Sequence, residues 1–318
     1  MSQGSQEPLP SYLCEYPGVA TIGGPGYGDR PCEFYRPFAV DVTHDGYVAV
    51  VEWGNDRIQI FDARLRFVRV IGKTGKKALR FNRTFDVCCG RGDRKDEIAV
   101  VDQGNGRIQV VSVSGAFRHM FRTELCPWCI CVDLHNNIYV GCTAGTIRVF
   151  SWTGTLLREF GSVTRGRISG ICFDDEHSQI ITAEFEDRSI SVFSTSGELV
   201  RRFIVNFPGA ITINAPNSVC FAGQGRLVVS DSDSHRLLVY DWDGEHERFV
   251  STVGKYGRAP REFFYQRCGH VDARGRLLVA DAENHRVQII DPAPTRVVLL
   301  GCLLVAHLSS CKDLPDCL

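Results

Sequence analysis

The sequence predicts an all-β fold: a six-bladed β-propeller of four-stranded antiparallel blades, with an N-terminal strand closing the last blade. Three observations lead there. One strand–loop–strand text recurs six times, its aligned acidic position recurs every 39 to 50 residues or so, and short apolar runs of period two, cut by Gly, Asp and Asn turns, fill the intervals. No stretch carries a helical period of useful length.

The repeat is clearest as Val-Ala-Val-Val-Glu at 48–52 followed by Arg-Ile-Gln-Ile-Phe at 57–61. It returns at 98–102 with 107–111, at 227–231 with 236–240, and at 277–281 with 286–290. Weaker copies lie at 138–141 with 146–150 and at 180–184 with 189–193. Each copy is the b–c hairpin of one blade, with strand a before it and strand d after it. A blade cannot bury both faces alone, so blades stack around an axis and the ring must close. Residues 12–23 read as an outer strand without a blade of its own and are expected to complete the sixth; the apolar run at 296–301 competes for that edge. The expected organisation is a disordered segment at 1–11, the propeller at 12–291 and a tail at 292–318 whose packing the pattern does not specify.

The aligned acidic position runs Glu52, Asp102, Gly141, Glu184, Asp231, Asp281. Arg107, Arg236 and Arg286 stand across the same tight hairpin from Asp102, Asp231 and Asp281. Repetition around the ring argues for an architectural ion pair or backbone brace, since a specific site would break the repeat.

Composition is that of an ordinary globular chain, with 44% apolar and 23% charged residues. The net charge of −1 gives no hint of a nucleic-acid binder by itself. The opening residues are polar, and the longest apolar run, 297–308, is too short to span a bilayer. The chain is therefore expected to be cytoplasmic, with no membrane partner. Its 14 cysteines sit mostly in apolar strand patterns and read as buried free thiols of a reducing compartment. Cys126-Pro127-Trp128-Cys129 has redox spacing, but it enters a strand, not the helix N-terminus that activates such thiols. The nine histidines are scattered, so no metal, no other cofactor, no small-molecule substrate and no enzymatic activity are expected.

Propeller topology puts the d–a and b–c loops on one face and the a–b and c–d loops on the other. The d–a loops, taken as 23–37, 72–84, 122–128, 161–168, 204–216 and 254–267, carry fourteen basic residues against four acidic ones. With the b–c loops their face stands near +6, and the opposite loops near −6. Such a separation in a near-neutral chain suits an anionic ligand. Arg36, Arg83, Arg165, Arg167 and Arg267 are candidates for phosphate contacts; Phe38, Trp53, Phe85 and Trp128 are candidates for base stacking, and Asn217 completes the set. Aromatic residues at such turns also pack between blades, and that reading stays open here.

The b–c loops read Gly54-Asn55-Asp56-Arg57, Gly104-Asn105-Gly106-Arg107, Asp233-Ser234-His235-Arg236 and Glu283-Asn284-His285-Arg286. They resemble NHL repeats, and the chain from about residue 12 to 291 is similar to the NHL domain of TRIM-NHL proteins such as Brat. Four blades match well; blades three and four are degenerate. The resemblance implies a propeller that binds single-stranded RNA or protein partners on one face and acts in translational repression of messenger RNA. It also implies an alternative, a substrate or partner reader for a TRIM-type ubiquitin ligase. The Cys-x-x-Cys and Cys-His arrays of a RING are missing from this sequence, so the chain is expected to be the reader module without the catalytic half.

Overall fold

A computed structural model describes residues 12–24, 26–161, 166–204, 213–222 and 225–291. Six antiparallel sheets form a ring, five of four strands and one of five. The inner strands are Pro37–Val42, Thr84–Cys89, Pro127–Val132, Ile168–Asp174, Pro216–Phe221 and Gln266–Val271. Each touches the next in order, and the sixth touches the first. Among the described residues helix is confined to five single 3-10 turns, and no helix is long and apolar enough to cross a membrane.

Neighbouring blades cover both faces of the middle strands. Val48–Glu52 and Arg57–Phe61 are therefore buried at every position, which explains their nearly unbroken apolar text. The rim strand Phe117–Arg122 instead alternates half-buried and exposed residues.

Closure follows the N-terminal expectation with one refinement. The segment splits into two strands, Leu13–Tyr16 and Val19–Gly23. The second lies against Arg286–Ile290 as strand d of blade six, in register from Val19 opposite Ile290 to Gly23 opposite Arg286. The first folds back on it through Pro17-Gly18 as a fifth, outermost strand. The competing segment at 296–301, the terminal segments 1–11 and 292–318, and Arg165 lie outside the described residues.

Strand d ends at a glycine with positive φ in four blades, Gly161 at 96° in blade three among them; the other three are Gly23 at 85°, Gly72 at 90° and Gly254 at 95°. A fully buried ring lies on each of these other three. A Cβ at Gly72 would stand 2.3 Å from the Phe81 ring, so only glycine admits that ring.

The acidic position of the repeat is buried, and it does more than pair across its hairpin. In blade two Asp102 accepts Arg107 Nε at 2.6 Å, Gln109 Nε2 at 3.0 Å and Asn105 Nδ2 at 2.9 Å. It also accepts the Asn82 N–H of the d–a loop at 2.8 Å. Arg107 then donates to the loop carbonyls of Lys77 and Arg80, at 3.0 and 2.9 Å, and Gln109 donates to that of Arg80 at 2.7 Å. Asn105 reaches the Gly75 carbonyl at 2.9 Å. Blades one and six repeat the arrangement with Glu52, Asn55, Arg57 and Gln59, and with Asp281, Asn284, Arg286 and Gln288. Each network therefore fastens the d–a loop leading into its own blade, satisfying backbone groups that would otherwise be orphaned under the loop.

The degenerate blades depart from this arrangement. A Cβ at Gly141 would lie 2.4 Å from Cys129 Sγ and 2.7 Å from Ile168, so blade three has no room for an acid there. Arg148 supplies the link instead, donating to the Thr123 carbonyl at 2.7 Å and pairing with Glu124 and Glu159. In blade four Glu184 is held by the hydroxyls of Thr182 and Ser189, at 2.5 and 2.9 Å.

Because Asp102 has no exposure, Arg107→Met leaves a buried carboxylate and two loop carbonyls short of their donor. The expected loss is about 3–5 kcal/mol of unfolding free energy in a denaturant titration.

Candidate functional site

The inner strands create a ring of six equivalent side chains. The second residue of each is Phe38, Phe85, Trp128, Ser169, Asn217 and Arg267. In five blades the ladder is out of register around this residue, as where Pro37 faces Glu52 but Ala39 faces Val51. A bulge of this kind re-aims the side chain, here toward the axis. Phe85 meets Phe38 at 5.0 Å and Trp128 at 4.7 Å between ring centroids, both edge to face. On the other side Arg267 donates to Asn217 Oδ1 at 2.9 Å and to the Ser169 carbonyl at 2.7 Å, and its guanidinium lies 4.8 Å from the Phe38 ring. Arg267 thus links blade six to blades five, four and one across the top of the channel.

Below this belt lies a channel cavity of about 670 Å³. Arg267 lines one end of it, and His44, Arg91, Leu134 and Asp175 line the other, so it opens on the a–b face. Cys88, Cys131, Cys172 and Cys220, one from each of blades two to five, line its wall with Asp41 and His270. None of these cysteines is in a disulfide, and burial pushes the thiols of Cys88 and Cys131 well up. Asp86 stands just beneath the belt and accepts the backbone N–H of Val87 at 2.9 Å and of Ile130 at 3.0 Å. Burial raises its carboxyl to about 6 against the pull of Arg267. Among the described residues no three His, Cys, Asp or Glu side chains converge as a metal site would require.

The remaining candidates lie outside the belt on the d–a and b–c face. Arg36 pairs with Glu283 at 3.0 Å and lies 5.3 Å from the Trp53 ring. Arg167 pairs with Glu186 at 2.7 Å and sits between the rings of Trp128 and Phe185, at 4.6 and 4.1 Å. Arg83 is exposed and makes no ion pair among the described residues. Of the ten residues proposed from sequence, then, Phe38, Phe85, Trp128, Asn217 and Arg267 form one packed belt. Arg36, Trp53, Arg83 and Arg167 stand around it, and Arg165 is not described.

The two faces differ in how many cations are left unpaired. Around the a–b and c–d loops Arg91 pairs with Asp175 at 2.5 Å, Lys95 with Asp45 at 3.2 Å and Arg276 with Asp272 at 2.7 Å, while Arg64 and Arg274 are exposed with no ion pair among the described residues. On the other face Arg30, Lys73, Lys76, Lys77, Arg83, Arg122 and Arg258 are exposed and have no ion pair among the described residues. Exposed pairs add little stability, about 0–1 kcal/mol each, so the distinction concerns the electrostatic field.

The b–c loops also latch blade to blade. Asp56, His235 and His285 occupy the left-handed region, with φ of 51°, 54° and 55°. Their side chains accept the backbone N–H of the residue that starts the next blade: Arg83 at 2.6 Å, Tyr265 at 3.3 Å and Arg36 at 3.3 Å. The histidines of the repeat are thus structural acceptors. Sequence reasoning passed over two exposed tyrosines of the d–a loops, Tyr27 and Tyr256. The equivalence of Gly-Lys-Thr-Gly at 72–75 and Gly-Lys-Tyr-Gly at 254–257 could have pointed to the second.

The profile of the NHL repeat matches residues 271–290. Propellers of NHL repeats generally mediate binding to proteins or other molecules. No curated protein sequence matches the chain. Among solved structures, virginiamycin B lyase from Staphylococcus aureus is similar over 80% of this chain and 79% of its own, at 14% identity and a TM-score of 0.58. The β-propeller domain of Cps50 (Swd1) from Myceliophteria thermophila is similar over 83% and 98%, at 12% identity and 0.59. A streptogramin B lyase is similar over 86% and 97%, at 12% identity and 0.58. These likenesses show the propeller fold.

Asp86 gives the belt a measurable pH dependence. Its folded pKa, about 6, lies above the ordinary 3.8, so the native state binds the extra proton between those values. Stability should therefore fall as pH rises from 4 to 6, by up to about 3 kcal/mol, and level off above. Denaturant titrations of Asp86→Asn should lose this component. In Arg267→Met a carboxyl-resolved NMR titration should place the Asp86 midpoint higher.

Proposed function

We propose that the chain is a cytoplasmic RNA reader: its d–a and b–c face binds single-stranded RNA, and it acts in translational repression of messenger RNA by recruiting protein repressors. The supporting observation is the set of exposed, unpaired cations on that face, from Arg30 through Lys73, Lys77 and Arg83 to Arg258. Cations without protein partners attract phosphates without first breaking an ion pair. On this reading the chain binds and does not catalyse. The belt fixes the loops around the axis, and the loop cations carry the ligand.

Arg36 and Arg167 already hold Glu283 and Glu186, so reversing them would also break a contact between blades six and one and another within blade four. Lys73, Lys77 and Arg83 make the cleaner test. Their joint replacement by Glu should leave unfolding unchanged and weaken binding of an oligouridine. The slope of log K against log salt should shrink by about 2 if all three contact phosphate, at roughly 0.7 per contact. An unchanged affinity and slope would refute the reading.

A second reading has its own support. Leu156 and Leu157 on one outer strand and Leu199 and Val200 on the next are exposed by 38 to 54%. These two blades are the degenerate ones, and an apolar pair on each suits a protein partner, such as a component of a TRIM-type ubiquitin ligase. Leu157→Asp with Val200→Asp should then abolish protein capture while leaving RNA binding intact.

A further inference from the structure

Tyr27 and Tyr256 are equivalent residues of two d–a loops, each bridged in parallel to the buried Phe that ends the loop's turn, Phe34 and Phe263. They are 73% and 64% exposed. Neither stands alone. Tyr27 lies 5.4 Å from Tyr35 and 5.7 Å from His285, and Tyr35 lies 5.9 Å from His285. Tyr256 lies 5.0 Å from His235 and 5.2 Å from Phe264, and Phe264 lies 5.5 Å from His235. The result is two three-ring cups, one at the seam of blades six and one, the other at the seam of blades five and six.

The architecture does not require them. At the corresponding seam of blades one and two the tyrosine position is Thr74, which hydrogen-bonds Asp56 at 2.9 Å, and Asn82 and Asp56 stand where the other two cup rings would be. The cups therefore depart from the repeat at positions where the fold tolerates a small polar residue.

The imidazoles complete the chemistry. Nδ1 of His285 and Nδ1 of His235 each accept a backbone N–H, from Arg36 and Tyr265 at 3.3 Å. That places the ring proton on Nε2, which has no hydrogen-bond partner among the described residues. Burial holds His285 below its usual range, so it stays neutral at physiological pH. Each cup thus offers ring faces and an N–H donor, with Arg30 and Arg258 exposed and without an ion pair among the described residues on the surrounding loops, and Arg36 and Lys255 paired with Glu283 and Glu262.

We propose that the two cups are base-stacking subsites for single-stranded RNA, extending the ligand path outward from the belt across blades five, six and one. Ring faces receive the base, the Nε2–H meets an acceptor on its edge, and the neighbouring cations meet the phosphates. This inference rests on the RNA reading above and adds where the bases lie.

The test is fluorescence anisotropy of a labelled oligouridine of about ten nucleotides, within the usual span of such sites, with the full chain and Tyr27→Ala, Tyr256→Ala, the double variant and Tyr27→Phe/Tyr256→Phe. Each Ala change should weaken binding about ten- to hundredfold without altering the salt slope, because no charge is removed. The Phe variant should retain wild-type affinity. Equal binding by wild type and double Ala variant would overturn the cups, while the Lys73/Lys77/Arg83 experiment still judges the basic face. Failure of the wild type to bind the oligouridine, with retention of an acidic glutamate–tyrosine copolymer, would overturn both.

Discussion

The structure depends on a buried carboxylate that cannot be left alone. Asp102, Glu52 and Asp281 lie where water cannot reach, and each is balanced by an arginine, an asparagine and a glutamine. Burial still raises the carboxyls of Glu52 and Asp281. Such a group is stable only when every partner is in place. Because the same arginine and glutamine also hold the carbonyls of the d–a loop, the carboxylate, hairpin and loop form one unit. The loop is fixed from beneath, by groups facing the blade.

That arrangement leaves the upper side of the loops free for something else. The architectural arginines are consumed by the networks, whereas the lysines and arginines along the loop crests, such as Lys73, Lys77 and Arg258, have no protein counter-charge among the described residues. Nearer the axis the second residues of the inner strands are tied together, aromatic on blades one to three and polar on blades four to six. The face is therefore rigid at its centre and electrostatically unsatisfied at its rim. A flexible polyanion carrying flat rings matches that distribution of constraint and charge.

The repeat was legible because its grammar is local: strand, acid, short loop, arginine, strand. Closure was legible because residues 12–23 had no blade of their own, although the Pro17-Gly18 fold-back and the fifth strand depend on a turn whose partner is far along the chain. The excess of basic residues in the d–a loops was legible in the sequence. Which cations are free was not, since Arg36 is matched by Glu283, brought close by ring closure, and Arg167 by Glu186, brought close by the pairing of blade four's strands. Asn217 and Arg267 read as ligand groups, yet they bond to each other; a bulge re-aims Asn217, whereas Arg267 stays in register opposite Ala280. Tyr27 and Tyr256 escaped notice because their meaning lies in the histidine of the preceding blade.

If the loop face is the binding face, ligand meets the d–a and b–c loops and leaves the channel mouth alone. Ultraviolet crosslinking of the full chain to a single-stranded RNA, read out by mass spectrometry, tests it most directly. Crosslinks are then expected in loops 23–37, 72–84 and 254–267. Crosslinks concentrated around His44, Arg91 and Leu134 at the opposite face, or none at all, would contradict it.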